Sequence, residues 1–177
     1  MFPQKPVWQV AALPFVSLND RILILLITTR RRGRWSLPKG WPKKRLSPAE
    51  AAAKEAREEA GLIGHIGETP LGTYDYMKRM PQGYRVLCRV GVYPLLVTEH
   101  QLEWRESHQR DYRWAELREA AALVGERGLR RILKRLTDQR DDPLGAMATA
   151  AEQAAMPAQV NACPPIDAHY RQPDSTS

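Results

Sequence analysis

The residues whose types and spacing best suit chemistry are Glu55, Glu58 and Glu59, in the segment Lys54-Glu-Ala-Arg-Glu-Glu-Ala-Gly61. A helix advances about 100° per residue, so with Glu55 at zero Glu58 falls at about 300° and Glu59 at about 40°. All three carboxylates then share one side, where they repel one another. A hard divalent cation, which binds oxygen and keeps several of its waters, relieves that repulsion. A solvated acidic face is the plainer use of such a triplet, so the surroundings must decide between the two.

The element that must carry these side chains is well marked. Ser47 is an N-cap, Pro48 occupies the first helical position, Glu50 completes a capping box, and Gly61 stands where a left-handed residue ends the helix. Ala51 and Ala52 fall on the carboxylate side and are expected to keep it open. Ala49, Ala53, Ala56 and Ala60 form the expected core stripe, and Glu50, Lys54 and Arg57 the solvated one, with Glu50 placed to pair with Lys54 at i,i+4.

Around this helix, Val7–Val16 and Arg21–Arg30 predict a β-hairpin about Asn19-Asp20, with Ile22–Ile27 a strand buried on both faces. Arg34–Leu37, Gly72–Arg79, Tyr84–Thr98 and Asp111–Trp114 predict further strands, and Ala115–Val124 and Gly128–Leu136 predict helices. Residues 1–140 thus form one domain. Residues 141–177, rich in Ala and Pro, are expected to be a mostly mobile tail with a loose helix over Gly145–Ala155.

The net charge of +7 is uneven: residues 141–177 hold five acids and one base, leaving +11 on residues 1–140. A body so basic predicts a polyanionic partner: nucleic acid, a membrane surface or a phosphorylated small molecule. No apolar run has the length of a membrane span, and the mean hydropathy is -0.50. The N-terminus lacks the layout of a signal peptide, and Cys88 and Cys163 read as unpaired thiols, so a cytoplasmic location is expected. Eight bases and no acid lie between Arg30 and Arg45, leading directly into the helix.

The stretch from Gly40 to Leu62 resembles the Nudix box, G-x5-E-x7-R-E-U-x-E-E-x-G-U with U aliphatic. Gly40, Glu55, Glu58, Glu59, Gly61 and Leu62 match at the right spacing, Ala56 takes an aliphatic position, and the strand order extends the resemblance to roughly residues 5–138. The resemblance implies an α/β fold: an α/β/α sandwich with a mixed sheet and a loop–helix–loop motif. It also implies a hydrolase in which Mg²⁺ or Mn²⁺ is held against a pyrophosphate by Glu55, Glu58 and Glu59, with Gly40 in the metal set. Two positions depart: Leu46 stands for the first Glu of the box and Lys54 for its Arg.

Leu37-Pro-Lys-Gly-Trp-Pro42 looks like the branch that handles diphosphoinositol and diadenosine polyphosphates. Arg32, Arg34, Lys39, Lys43 and Arg45 are the candidate phosphate ligands. Trp35 is a candidate base-stacking residue, although core packing is its commoner use. The chemistry implied is attack of a metal-activated water on phosphorus. Catalysis is assigned to Glu58 and Glu59, and a general base is sought among Glu59, Glu103 and Glu106, since several family members supply one from the region of the last two. An RNA 5′-end pyrophosphohydrolase would use the same box. A non-catalytic nucleotide-binding regulator is the reading that Leu46 favours.

Overall fold

The computed structural model describes residues 5–19, 21–30, 33–138 and 142–155. The core strands are β1 (Val7–Leu18), β2 (Arg21–Thr28) and β7 (Arg85–His100). β1 and β2 pair antiparallel as the hairpin expected, and β7 joins the other edge of β1 in parallel, from Val7↔Cys88 to Phe15↔Leu96. Four shorter strands border them: β3 (Trp35–Ser36) and β8 (Tyr112–Glu116) on β2, β5 (Leu62–Ile66) and β6 (Gly72–Arg79) on β7. The two-residue β4 (Lys39–Gly40) pairs with β1 through Val10↔Gly40 and Ala11↔Lys39.

Strand periodicity splits the core in two. Leu13, Phe15, Ile24 and Leu26 point to one face, under α2 (Leu117–Leu123), α3 (Arg127–Asp138) and α4 (Pro143–Ala154). Val10, Ala12, Leu25 and Ile27 point to the other, under α1 (Pro48–Ala60). The mixed sheet is therefore buried on both sides in an α/β/α sandwich, and β2 is apolar throughout because both its faces are covered.

Three expectations change. Ala51 and Ala52 are fully buried while Ala53 is only half-buried, so α1 presses the side at its carboxylates toward the sheet. Alanine permits this, since a helix with no bulk on that side sits close. β5 and β4 were not expected; β4 exists only as a pairing partner of β1. Finally, α4 begins at Pro143 on an Asp142 cap, whose side chain accepts from Leu144 and Gly145 N–H groups at 3.1 and 2.9 Å. Leu144 and Ala148 are buried against the sheet, so this part of the segment 141–177 packs with the domain. Residues 156–177, including Cys163, lie outside the described residues.

Leu144→Ala is expected to lower the unfolding free energy by about 2–5 kcal/mol in urea denaturation, as for other buried leucines. A loss of only about 0.5 kcal/mol, the scale of a surface change, would place α4 outside the cooperative core.

Candidate active site

The geometry begins with the helix ends. Ser47 Oγ accepts from the Glu50 N–H at 3.1 Å while the Glu50 carboxylate accepts from the Ser47 N–H at 2.7 Å, completing the capping box. Glu50 is thereby turned away from Lys54. Lys54 pairs instead with Glu58, one turn on, which corrects the expected Glu50–Lys54 pair. At the other end Gly61 adopts φ 67°, a left-handed conformation that glycine enters without strain. Its carbonyl accepts from the Gln101 N–H at 2.8 Å, and the Trp104 indole donates to the Glu59 carbonyl at 3.0 Å. The loop after β7 thus grips the end of α1.

Each carboxylate meets a cation. Glu55, only 7% exposed, pairs with Lys43 at 3.2 Å. The backbone of Gly40 lies against it so closely that a Cβ there would stand 2.2 Å from the carboxyl carbon. Glu58 is held below the usual carboxylate range, chiefly by the hydrogen bond from Lys54. Glu59 accepts the Lys39 backbone N–H at 3.0 Å on one oxygen and an Arg110 guanidinium N–H on the other. Burial pushes the Glu59 carboxyl up, opposed by the charge of Arg110.

Arg110 was not singled out from the sequence. Its Nε donates to Glu106 at 2.8 Å and its Nη1 to the Thr28 carbonyl at 3.0 Å, and Glu106 also faces Arg30 at 3.6 Å. Glu103, by contrast, is exposed and has no hydrogen-bond or ion-pair partner among the described residues.

The basic run divides. The Lys39 ammonium turns inward, 2.8 Å from Glu126 and over the Tyr76 ring at 5.4 Å, so as placed it is matched by a protein acid. Lys43 is committed to Glu55. Arg34 and Arg45 are exposed, and Arg32 lies outside the described residues. Trp35 is half-buried against the core, and it also borders a cleft of about 1180 Å³ with Trp104, Arg105, His108, Arg110 and Tyr112. Lys78, also missed, reaches over the Trp41 ring at 4.5 Å, and burial lowers its ammonium.

No group of three metal-binding side chains closes on one point among the described residues. The donor chemistry nevertheless fits a hard cation. Mg²⁺ is usually held by one or two carboxylates plus substrate phosphates, not by a closed protein cage. Glu55, Glu58 and Glu59 provide such an open set, and Gly40 keeps the approach to Glu55 free of a side chain.

Gly40→Ala is expected to cost about 1–3 kcal/mol of stability by overpacking. In a Glu55→Ala background most of that loss should vanish, because the clash is with that carboxyl; an equal loss in both backgrounds would contradict the contact.

A pH effect follows from His100, packed edge-on to Tyr112 at 4.8 Å beside the end of α1. Burial lowers its pKa below 6.5. The unfolded chain therefore binds the proton more readily, so the stability tied to neutral His100 is complete above about pH 6.5 and is lost as pH falls toward the folded value. His100→Phe should flatten this limb of a stability–pH curve, and an unchanged limb would assign it elsewhere.

The NUDIX domain profile matches residues 7–136. Nudix hydrolase 17, mitochondrial, of Arabidopsis thaliana is 28% identical over 127 residues, covering 72% of this chain and 68% of that protein. Diphosphoinositol polyphosphate phosphohydrolase 2 of Rattus norvegicus is 31% identical over 118 residues, covering 66% of this chain and 62% of that protein. With several other Arabidopsis relatives the match spans under two thirds of their length. Among solved structures, the C. elegans Ap4A hydrolase superposes with a TM-score of 0.56 at 19% identity, covering 75% of this chain and 97% of that one. The profile covers most of the chain, and the chain accordingly belongs to the Nudix family of phosphoanhydride hydrolases.

Proposed function

We propose that this chain is a divalent-cation-dependent hydrolase that cleaves the phosphoanhydride bond of a polyphosphorylated small molecule, either a diphosphoinositol polyphosphate or a diadenosine polyphosphate. The observation that carries this reading is the gathering of Glu55, Glu58 and Glu59 at one end of α1, beside Gly40 and amid basic side chains. The name of the rat relative supports the first substrate class. Exposed Arg34, Lys44 and Arg45 and the half-buried Lys78 are among the cations left to meet phosphate.

In this reading Glu55, Glu58 and Glu59 hold Mg²⁺ or Mn²⁺. The bound cation supplies an acidified water and neutralises charge that develops on the phosphate oxygens. The chain's own part is to orient carboxylates, bind phosphate and accept a proton. Glu106 accepts a hydrogen bond from Arg110 and faces Arg30 at 3.6 Å, whereas Glu103 has no such cation beside it among the described residues, so Glu103 is the loop carboxylate freer to take that proton. The Lys39 N–H and Arg110 hold Glu59 in one orientation, and the positive charge of Arg110 beside it disfavours its gaining a proton, which suits a ligand role better than that of a base. The work is assigned to the cytoplasm on the buried free thiol of Cys88; no described helix is long and apolar enough to cross a membrane, and the names of several plant relatives place those proteins in mitochondria.

The test is a substrate panel: a diphosphoinositol polyphosphate, a diadenosine polyphosphate, a nucleoside triphosphate and a 5′-triphosphorylated RNA, with Mg²⁺ or Mn²⁺. One of the first two should turn over fastest, and Glu59→Gln should lower kcat at least about a hundredfold. Glu103→Gln should lose kcat by about 10²-fold or more without losing stability, whereas Glu106→Gln should lose stability as well. Preference for the RNA would overturn the substrate assignment. Absence of all turnover, with Glu59→Gln indistinguishable from wild type, would leave a nucleotide-binding regulator as the better reading.

A further inference from the structure

The Arg110 side chain is only 7% exposed, and its guanidinium reaches three partners from different parts of the chain. Nε reaches Glu106 on its own loop, Nη1 reaches the Thr28 carbonyl at the end of β2, and Nη2 reaches Glu59 near the end of α1. The planar fork allows this; a lysine ammonium is a point charge and could not span the same three acceptors. Glu106 is in turn steadied by Arg30. A chain of alternating charge therefore runs Arg30–Glu106–Arg110–Glu59 and ends on the Lys39 N–H.

Each oxygen of Glu59 consequently accepts one protein donor and keeps a further lone pair. A cation on the oxygen that Arg110 holds would sit beside the guanidinium charge, and that repulsion falls only if the Arg110 side chain moves away. The Lys39 N–H is fixed, because β4 is paired to β1. Arg110 is a side chain, and on leaving Glu59 it keeps Glu106 and the Thr28 carbonyl.

We infer that Arg110 is the internal counter-ion of Glu59: it orients and neutralises this carboxylate in the metal-free protein and competes with a divalent cation for the same oxygen. Arg110 is thus a positioning residue, tying the loop after β7 to α1 and setting how tightly the site takes metal. The inference rests on the reading that the α1 carboxylates bind such a cation. Its energetic basis is Coulombic. A unit positive charge in contact with a largely buried carboxylate opposes a second cation far more strongly than it would in water.

The experiment measures Mn²⁺ binding to the full chain without substrate, by calorimetry or by the EPR signal of free Mn²⁺, together with the melting temperature of the metal-free protein. Arg110→Met should bind Mn²⁺ at least about tenfold more tightly than wild type, and its metal-free form should melt lower and regain stability when Mn²⁺ is added. Arg110→Lys, which keeps the charge and loses the fork, should stay closer to wild type in affinity, and Arg110→Gln, which removes the charge but keeps a donor, should also tighten Mn²⁺ binding and serves as the readout if Arg110→Met does not fold. In a Glu59→Gln background Arg110→Met should bring no tightening. Unchanged or weaker Mn²⁺ binding by folded Arg110→Met, beside a wild type whose binding depends on Glu59, would overturn the counter-ion role alone. No Mn²⁺ binding by wild type or any Arg110 variant would overturn the metal reading and this inference with it.

Discussion

Carboxylates on one side of a helix must be matched by positive charge, and the architecture around α1 is organised by that requirement. Glu55, Glu58 and Glu59 are met one by one by Lys43, Lys54 and Arg110. Only Lys54 belongs to the helix. Lys43 comes from the loop after β4 and Arg110 from the loop before β8, so the sheet must be in place before the charges balance. The pairing of β4 with β1 delivers the Lys39 N–H to Glu59, and the grip of Gln101 and Trp104 sets the last turn of α1. Folding and charge compensation are here one event.

The helix, its caps and both long strands of the hairpin were legible because their signals are local. A capping box and a left-handed glycine mark an end wherever the sheet lies, and β2 reads as apolar because both its faces are covered. What the sequence hid depended on distant partners. Lys54 has an acid four residues away on either side, Glu50 and Glu58; the capping box decides between them by drawing Glu50 to Ser47. Arg110 and Glu59 are 51 residues apart, and nothing local sets Arg110 apart from Arg105 or Arg113 nearby. β5 contains Gly64, which weakens its strand signal, and it forms only along the C-terminal half of β7.

The basic run from Arg30 to Arg45 shows how counting charges overstates a surface. Arg30 faces Glu106, Lys39 faces Glu126 and Lys43 faces Glu55, and the first two of those acids lie far off in sequence. Arg34, Lys44 and Arg45 remain exposed. A stretch that reads as an uninterrupted phosphate platform is therefore partly structural, with its inner members neutralised by the fold. Lys78, from a strand outside the run, sits at Trp41 without an acidic partner among the described residues. The cations left without an acidic partner among the described residues are drawn from separate elements.

Leu46, the position where the family's box has its first acid, bears on whether the site is eroded or rebalanced. Its side chain packs partly buried against the α1 core, and its N–H closes a turn on the Lys43 carbonyl at 3.1 Å. That turn lies directly beside the lysine that meets Glu55. Three carboxylates stand here against three cations. A fourth acid at residue 46 would upset that balance, while an apolar side chain anchors the loop that carries Lys43. Decay alone would leave unpaired buried charge, which is costly. Each of the three carboxylates is paired instead, so the apolar side chain at residue 46 leaves none of them without a cation.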